Sequence, residues 1–270
     1  MALVDVHCHL DAPTYEDLEV VCQQSRRAGV HAIVAAGTGV ISNRRILAMQ
    51  QRYPDFIWAT LGLHPERLDT SWEELASVVA QIQEQRARVV AFGEIGLPHY
   101  SRLEQRMTEE QARQREAFLH ALVQAAARLA LPVVLHAPHA TAAVALEIVK
   151  RYQPPGAVFH WHKSSPETTR AICQAGHCIS VTPEVCYRDR DRQLVQMVPL
   201  ENLLLESDGP WPYGGEFAGH PTTPALVARV ATEVAQLKGV AVAEVHRAII
   251  ANVQRVFGRE VTSPREAHID

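Results

Sequence analysis

An α/β fold, specifically a (β/α)8 TIM barrel, is what the sequence predicts, on three observations. Short apolar runs, eight in all, alternate with helical patterns along the chain. The alternation fills roughly 250 residues, the usual size of such a barrel. Imidazoles and carboxylates gather at the C-terminal ends of the runs, the face on which barrel enzymes hold their sites. An open, doubly wound sheet is the competing architecture. The strand count and the polar distribution favour the barrel.

Each element has its own signal. In Leu3 to Leu10, side chains alternate between faces, so Asp5, His7 and His9 share one side and Val4, Val6, Cys8 and Leu10 the other. Such a strand suits a wall buried on both sides. Tyr15 to Arg27 spaces its apolar residues three to four apart, and Gly29 supplies a helix stop. His31–Thr38 is the second strand, Asn43–Arg52 a short helix and Phe56–His64 the third strand. An amphipathic helix, Trp72–Gln85, leads to the fourth strand, Val89–Gly96. Thr108 to Leu129 is the longest helix, with Thr108 and Gln111 at capping-box spacing. Pro132–His136 is strand five, Thr141–Arg151 a helix and Ala157–His162 strand six. Ser165-Pro166-Glu167 opens a helix that stops at Gly176, and His177–Val181 is strand seven. A weakly helical Arg/Asp stretch precedes strand eight, Asn202–Asp208. Helices over Thr223–Leu237 and Val242–Val256 close the pattern. With no linker-like Gly/Ser/Pro tract, residues 1–258 form one domain and 259–270 a frayed C-terminal tail.

Composition narrows the function. Hydrophobic residues at 47% and charged residues at 21% are ordinary for a soluble globular chain. A formal charge of −4 provides no global field toward nucleic acid or an anionic membrane. Bound divalent metals would add charge that a sequence count misses. Fourteen histidines are many for 270 residues and raise the prior for a metal site. The five cysteines form no CxxC pair, and no basic-then-apolar leader precedes Leu3, so reduced cysteines in a cytoplasmic protein are expected. The apolar stretch from Val123 to Leu135 is broken by Gln124, Arg128 and Pro132, so no membrane span is expected.

The chemistry collects at the strand ends. Strand one contributes His7 and His9, strand three His64, strand four Glu94 and strand five His136. Strand six contributes His160 and His162, and strand eight Glu206 and Asp208. A single histidine there would be a hydrogen-bonded core group, but six or more metal-compatible groups at equivalent positions point to a site. Imidazoles and carboxylates without an inward thiolate suit Zn, Mn, Ni, Co or Mg. Four histidines and two carboxylates exceed one tetrahedral shell and fit two ions about 3.5–4 Å apart that share a carboxylate. Glu94, central in the strand order, is the natural bridge. Asp208 can take a proton from water and return it to the leaving group, which is hydrolysis without a protein nucleophile.

Six motifs carry a family resemblance. Asp5-Val6-His7-Cys8-His9-Leu10-Asp11, Gly62-Leu63-His64-Pro65, Gly93-Glu94-Ile95-Gly96-Leu97, His136, Phe159-His160 and Glu206-Ser207-Asp208-Gly209-Pro210 resemble the TatD family in order and spacing. That family is a TIM-barrel branch of the amidohydrolase-like metal-dependent hydrolases, with deoxyribonucleases among its members. The resemblance implies His7, His9, Glu94, His136, His160 and Asp208 as ligands of two divalent ions, with Glu94 bridging. It implies Glu94 and Asp208 as the catalytic carboxylates. His64 would contact substrate or orient a ligand, and Glu206 would bond a ligand histidine or a third ion. His162 would be a ligand, a substrate contact or a satisfied core group, and Asp5 would be a polar support within the barrel.

The surroundings depart from the family pattern. Where His-x-Arg-Asp is usual, the chain has His136-Ala137-Pro138-His139. Where His-Cys-Phe-Ser-Gly is usual, it has His160-Trp161-His162-Lys163-Ser164, and Pro98 replaces the Asp after Gly-Glu-Ile-Gly-Leu. Gly219-His220-Pro221 stands near the place of the usual Asn-Glu-Pro. The implied activity is cleavage of phosphodiesters by metal-activated water, DNA being one candidate substrate. Hydrolysis of a small-molecule amide, lactone or phosphoester is the rival, and a catalytically silent metal-binding barrel the third alternative. His139, Lys163 and His220 are candidate anion contacts. Trp161, Trp211 and Tyr213 could stack a base or shield the rim. Arg188, Arg190 and Arg192, interleaved with Asp189 and Asp191, suggest a solvated face.

Overall fold

The computed structural model describes residues 2–261, so 262–270, most of the expected tail, lie outside the described residues. Eight strands pair in parallel in strict sequence order, as the alternation requires. They are β1 (Leu3–Cys8), β2 (Val30–Ala36), β3 (Ile57–Leu61), β4 (Val89–Gly96), β5 (Val133–His136), β6 (Ala157–His160), β7 (Cys178–Val181) and β8 (Leu203–Leu205). Registers such as Ile33↔Ile57, Val133↔Ala157 and Ile179↔Leu203 carry the ladder around the sheet. Past the end of β8 the chain turns back onto β1. The Asp208 N–H donates to the His7 carbonyl at 2.9 Å, and the His9 N–H to the Gly209 carbonyl at 2.8 Å. The Asp5 carboxylate accepts from both the N–H and the hydroxyl of Ser207 across the same seam.

Ten α-helices are described: α1 (Leu18–Arg27), α2 (Val40–Arg52), α3 (Trp72–Glu84), α4 (Tyr100–Leu103), α5 (Glu109–Arg128), α6 (Thr141–Tyr152), α7 (Pro166–Gln174), α8 (Asp189–Met197), α9 (Val227–Lys238) and α10 (Val242–Phe257). Four of them begin where the sequence supplies a side-chain acceptor. Asp17, Ser71 and Ser165 cap α1, α3 and α7, and Thr108 with Gln111 forms a full capping box on α5. Each helix turns one stripe to the barrel, as Leu75, Val78 and Ile82 do on α3. The strands are buried on both faces, so barrel and helices share one continuous apolar core.

Three differences from the sequence expectation bear on function. The strands β1, β3, β6 and β8 stop short, leaving His9, His64, His162, Glu206 and Asp208 on the loops just beyond them. The short helix α4 has no sequence periodicity to betray it. The Arg/Asp stretch is a full helix, α8, preceded by a 3-10 turn at Pro183–Cys186.

Candidate metal centre

Glu94 occupies the middle of the C-terminal barrel mouth because its strand is squeezed from both sides. A Cβ at Gly62 would fall 2.2 Å from the Glu94 carbonyl oxygen, and one at Gly96 would fall 1.9 Å from that of His136. Only glycine permits these approaches, which accounts for the Gly-Leu-His and Gly-Glu-Ile-Gly motifs.

The two oxygens of Glu94 face different partners. Oε2 lies 3.5 Å from His7 Nε2, 3.4 Å from His9 Nε2 and 3.4 Å from His64 Nε2. Asp208 Oδ1 stands 3.5 Å from both His7 Nε2 and His9 Nε2, which are 3.3 Å from each other. Oε1 instead lies 2.9 Å from His136 Nδ1 and 2.8 Å from His160 Nε2, with those two nitrogens 3.4 Å apart. One carboxylate therefore belongs to two groups of donors.

The first group has the dimensions of a cation shell. Four donors about 2.1 Å from a common point at tetrahedral angles stand about 3.4 Å apart. The separations among His7, His9 and Glu94 run from 3.3 to 3.5 Å, and Asp208 Oδ1 flanks the histidine pair at 3.5 Å from each ring. Glu94 Oε2 and Asp208 Oδ1 are also buried without a hydrogen-bond donor. Buried carboxylate oxygens need a positive partner, and both of these are aimed at the same histidine pair.

Charge follows from this crowding. Burial opposes ionisation of Glu94, but His64, His160 and His7 outweigh it and hold the carboxyl well below its usual range. Asp208 is held down in the same way, burial being overcome by His9 and His7. The reciprocal effect raises His9 to about 9 and raises His136 and His160, in each case against the burial penalty. His7 moves the other way, lowered by burial and by its neighbour His160. Two carboxylates that stay ionised amid shared positive charge are suitable cation ligands.

A layer of supporting contacts fixes these groups. Glu206 accepts from the Trp161 N–H at 2.7 Å and the Ser180 hydroxyl at 2.5 Å, and its Oε1 stands 3.5 Å from His160 Nδ1. Glu66, which sequence reasoning missed, accepts from three successive N–H groups, of His99, Tyr100 and Ser101, at 2.7–2.9 Å. Its Oε1 also lies 3.2 Å from His136 Nε2, on the ring edge opposite Glu94. The only sequence signal was a carboxylate two residues after His64 on a loop.

Two expectations need refinement. His162 does not join the cluster: its Nε2 lies 2.9 Å from the Thr169 hydroxyl on α7. The strand alternation that would put it beside His160 is interrupted by Trp161, whose φ of 37° turns the chain. Arg188 and Arg190 are exposed, as a solvated face requires, but they also line the cavity, both paired to Glu184 at 2.7 Å, whereas Arg192 pairs with Glu233 elsewhere.

The cluster forms the floor of a cavity of about 600 Å³, with Trp161, Lys163 and Glu184 on its wall and the exposed Trp211 at its rim. His139 lines it too, whereas His220 is exposed and does not. Tyr213 is buried, its hydroxyl donating to the Ser207 carbonyl at 2.7 Å, and offers no stacking face. Among the described residues no serine or cysteine lines the cavity.

A parallel barrel that brings imidazoles and carboxylates from five strands to one mouth defines an α/β barrel built around a candidate metal centre. The chain belongs to the TatD-related DNase family, whose model, described as "TatD related DNase", matches residues 4–258. The uncharacterized metal-dependent hydrolase YjjV of Escherichia coli is 30% identical over 259 residues, covering 94% of this chain and 97% of that protein. The crystal structure of that TatD homologue superposes with a TM-score of 0.85 at 29% identity, covering 95% of this chain and 98% of that one. The 3'-5' ssDNA/RNA exonuclease TatD of Erwinia tasmaniensis is 27% identical, covering 94% of this chain and 99% of that protein.

Proposed function

We propose that the protein is a hydrolase of phosphodiester bonds, deoxyribonuclease-like, that holds two divalent ions. The observation carrying this reading is Glu94, whose two oxygens face separate donor groups. His7, His9 and Asp208 would hold one ion, His136 and His160 the other, and Glu94 both. His64 stands close enough to Glu94 to contact substrate or ion. Residues 1–258 would be the catalytic domain, and the five free cysteines support a reducing, cytoplasmic setting.

When bound, the ions would acidify water and neutralise charge on the substrate phosphate. The rest falls to the side chains. Asp208, ionised and fixed in the left-handed region at φ 45° by the bond to His7, takes the proton of the attacking water and passes it to the leaving oxygen. Among the described residues no serine, threonine or cysteine stands on the cavity wall, which favours direct attack by water over a covalent intermediate.

The test is metal analysis of protein purified without chelator, then a panel of single-stranded DNA, bis(p-nitrophenyl) phosphate, amides and lactones. About two equivalents of Zn, Mn, Ni, Co or Mg and cleavage of both phosphodiesters are expected. Less than about one equivalent, with no rescue by added metal, overturns the metallohydrolase reading. Turnover of a lactone or amide beside inert DNA decides for a small-molecule substrate. Asp208→Ala abolishes turnover with an unchanged circular dichroism spectrum, and retained activity removes Asp208 from proton transfer.

A further inference from the structure

Among the described residues four lysine and arginine side chains line the cavity: Arg106, Lys163, Arg188 and Arg190. Three are neutralised locally. Arg106 pairs with Glu104 at 2.6 Å, and Arg188 and Arg190 pair with Glu184 at 2.7 Å, Arg190 reaching Asp191 as well. Lys163 differs. Its Nζ sits 3.4 Å from the centroid of the Trp161 ring and 3.4 Å from the Tyr100 hydroxyl, with no carboxylate oxygen within 4 Å among the described residues.

Both supports are themselves fixed. Trp161 donates through its ring N–H to Glu184 at 3.0 Å and through its main chain to Glu206. Tyr100 lies on α4, whose first N–H groups bind Glu66. The ammonium is thus held in place rather than free to swing to solvent. Burial lowers its pKa only to about 8, so at neutral pH it keeps its proton. An aromatic face compensates a desolvated ammonium in part; Glu184, Asp191 and Asp208 favour its charge only from beyond 4 Å, and a contacting counter-anion is missing. The loop after β5 supplies none, and it brings Ala137, Pro138 and His139 to the cavity but no charged group.

We propose that Lys163 is the subsite for a second phosphate of the substrate, beside the phosphodiester cleaved at the Glu94–Asp208 cluster. The inference rests on the phosphodiesterase reading and narrows its substrate class to an oligonucleotide, in which phosphates recur along the strand. A phosphodiester with one phosphate engages the cluster and leaves Lys163 unpaired. Trp211, about half exposed at the rim and 5.3 Å from Trp161, offers a face for the accompanying base.

The test compares thymidine tetranucleotide with bis(p-nitrophenyl) phosphate on metal-loaded enzyme. Lys163→Ala raises KM for the tetranucleotide about tenfold more than KM for the single phosphodiester. Lys163→Arg, which keeps the charge, restores most of that difference. Equal shifts on both substrates, or none on either, overturn the proposal. If wild-type enzyme cleaves only bis(p-nitrophenyl) phosphate, or neither compound, the nuclease reading fails on its own. The Lys163 proposal is then decided by tetranucleotide binding followed through tryptophan fluorescence. There, Lys163→Ala is expected to weaken affinity about tenfold, and unchanged affinity sinks the subsite.

Discussion

Glu66 makes no contact with the floor of the cavity except through His136, yet it joins three things. It fixes the start of α4, anchors the loop after β3 and meets the outer nitrogen of the His136 ring. A carboxylate on that nitrogen settles which ring edge is left for Glu94 and raises the ligand's basicity. With two ions bound as proposed, Glu66→Ala should therefore weaken one metal equivalent by about 10- to 100-fold, while the equivalent assigned to His7 and His9 changes far less. Titration of metal-free protein against a chelating indicator resolves the two, and an unchanged second equivalent removes Glu66 from this role. Lys163 supplies a prediction in pH. Glu184, Asp191 and Asp208 favour its charge, Arg190 opposes it, His139 nearby is kept neutral by burial, and Tyr100 and Trp161 pack on it. Burial outweighs the anions and lowers it from 10.5 to about 8. Between those values the unfolded chain binds the extra proton, so this residue's contribution to stability rises with pH. Binding moves the other way: KM for an oligonucleotide should climb above pH 8 in the wild type. Lys163→Arg should flatten the climb, because guanidinium keeps its proton. Identical pH profiles for the two proteins would exclude Lys163 as the titrating group.

Among the elements, the junction of β8 with β1 has the most chemistry per residue. Asp5 is fully buried and accepts from the His7 and Ser207 N–H groups and from the Ser207 hydroxyl. Burial dominates its ionisation and pushes the carboxyl up to about 8, so at neutral pH it is mostly protonated. Asparagine keeps the shared acceptor and offers an N–H to the hydroxyl, whereas leucine orphans three buried donors. Asp5→Asn should cost less than about 1 kcal/mol and Asp5→Leu about 2–4 kcal/mol by urea unfolding in chelator. Equal losses would mean that packing, not hydrogen bonding, holds the seam. Most elements were legible before the structure, because apolar runs and cap residues such as Thr108 and Ser165 are local signals. Strand ends were not. Where β1 and β8 stop is set by cross-seam bonds between residues about two hundred apart, and where β6 stops is set by the left-handed Trp161. The helix α4 was invisible for the same reason, since its cap is a carboxylate from the preceding βα-loop.

At the scale of the whole molecule, the barrel brings together residues from β1, β4, β5, β6 and β8 that the chain separates by as many as 201 positions. The members of the cluster, His7, His9, Glu94, His136, His160 and Asp208, were legible because each lies at a strand end. Glu66, Glu184 and Tyr100 were not, because their positions depend on loops whose paths no periodicity records. The convergence has a thermodynamic consequence. Unfolding scatters these ligands, so a cation that binds the cluster binds the folded chain in strong preference. At one hundred times its dissociation constant, a single ion adds about 2.7 kcal/mol to stability, which for a chain of this size raises Tm by several degrees. Calorimetry should therefore show Tm falling on chelation and recovering on readdition of metal. Glu94→Gln bears on both ions at once and should abolish the whole recovery, whereas His136→Ala, on one side of Glu94, should leave part of it. A single ion held by His7, His9 and Asp208 would instead make His136→Ala indistinguishable from wild type. The difference between these two variants thus counts the ions through stability alone, without reference to turnover.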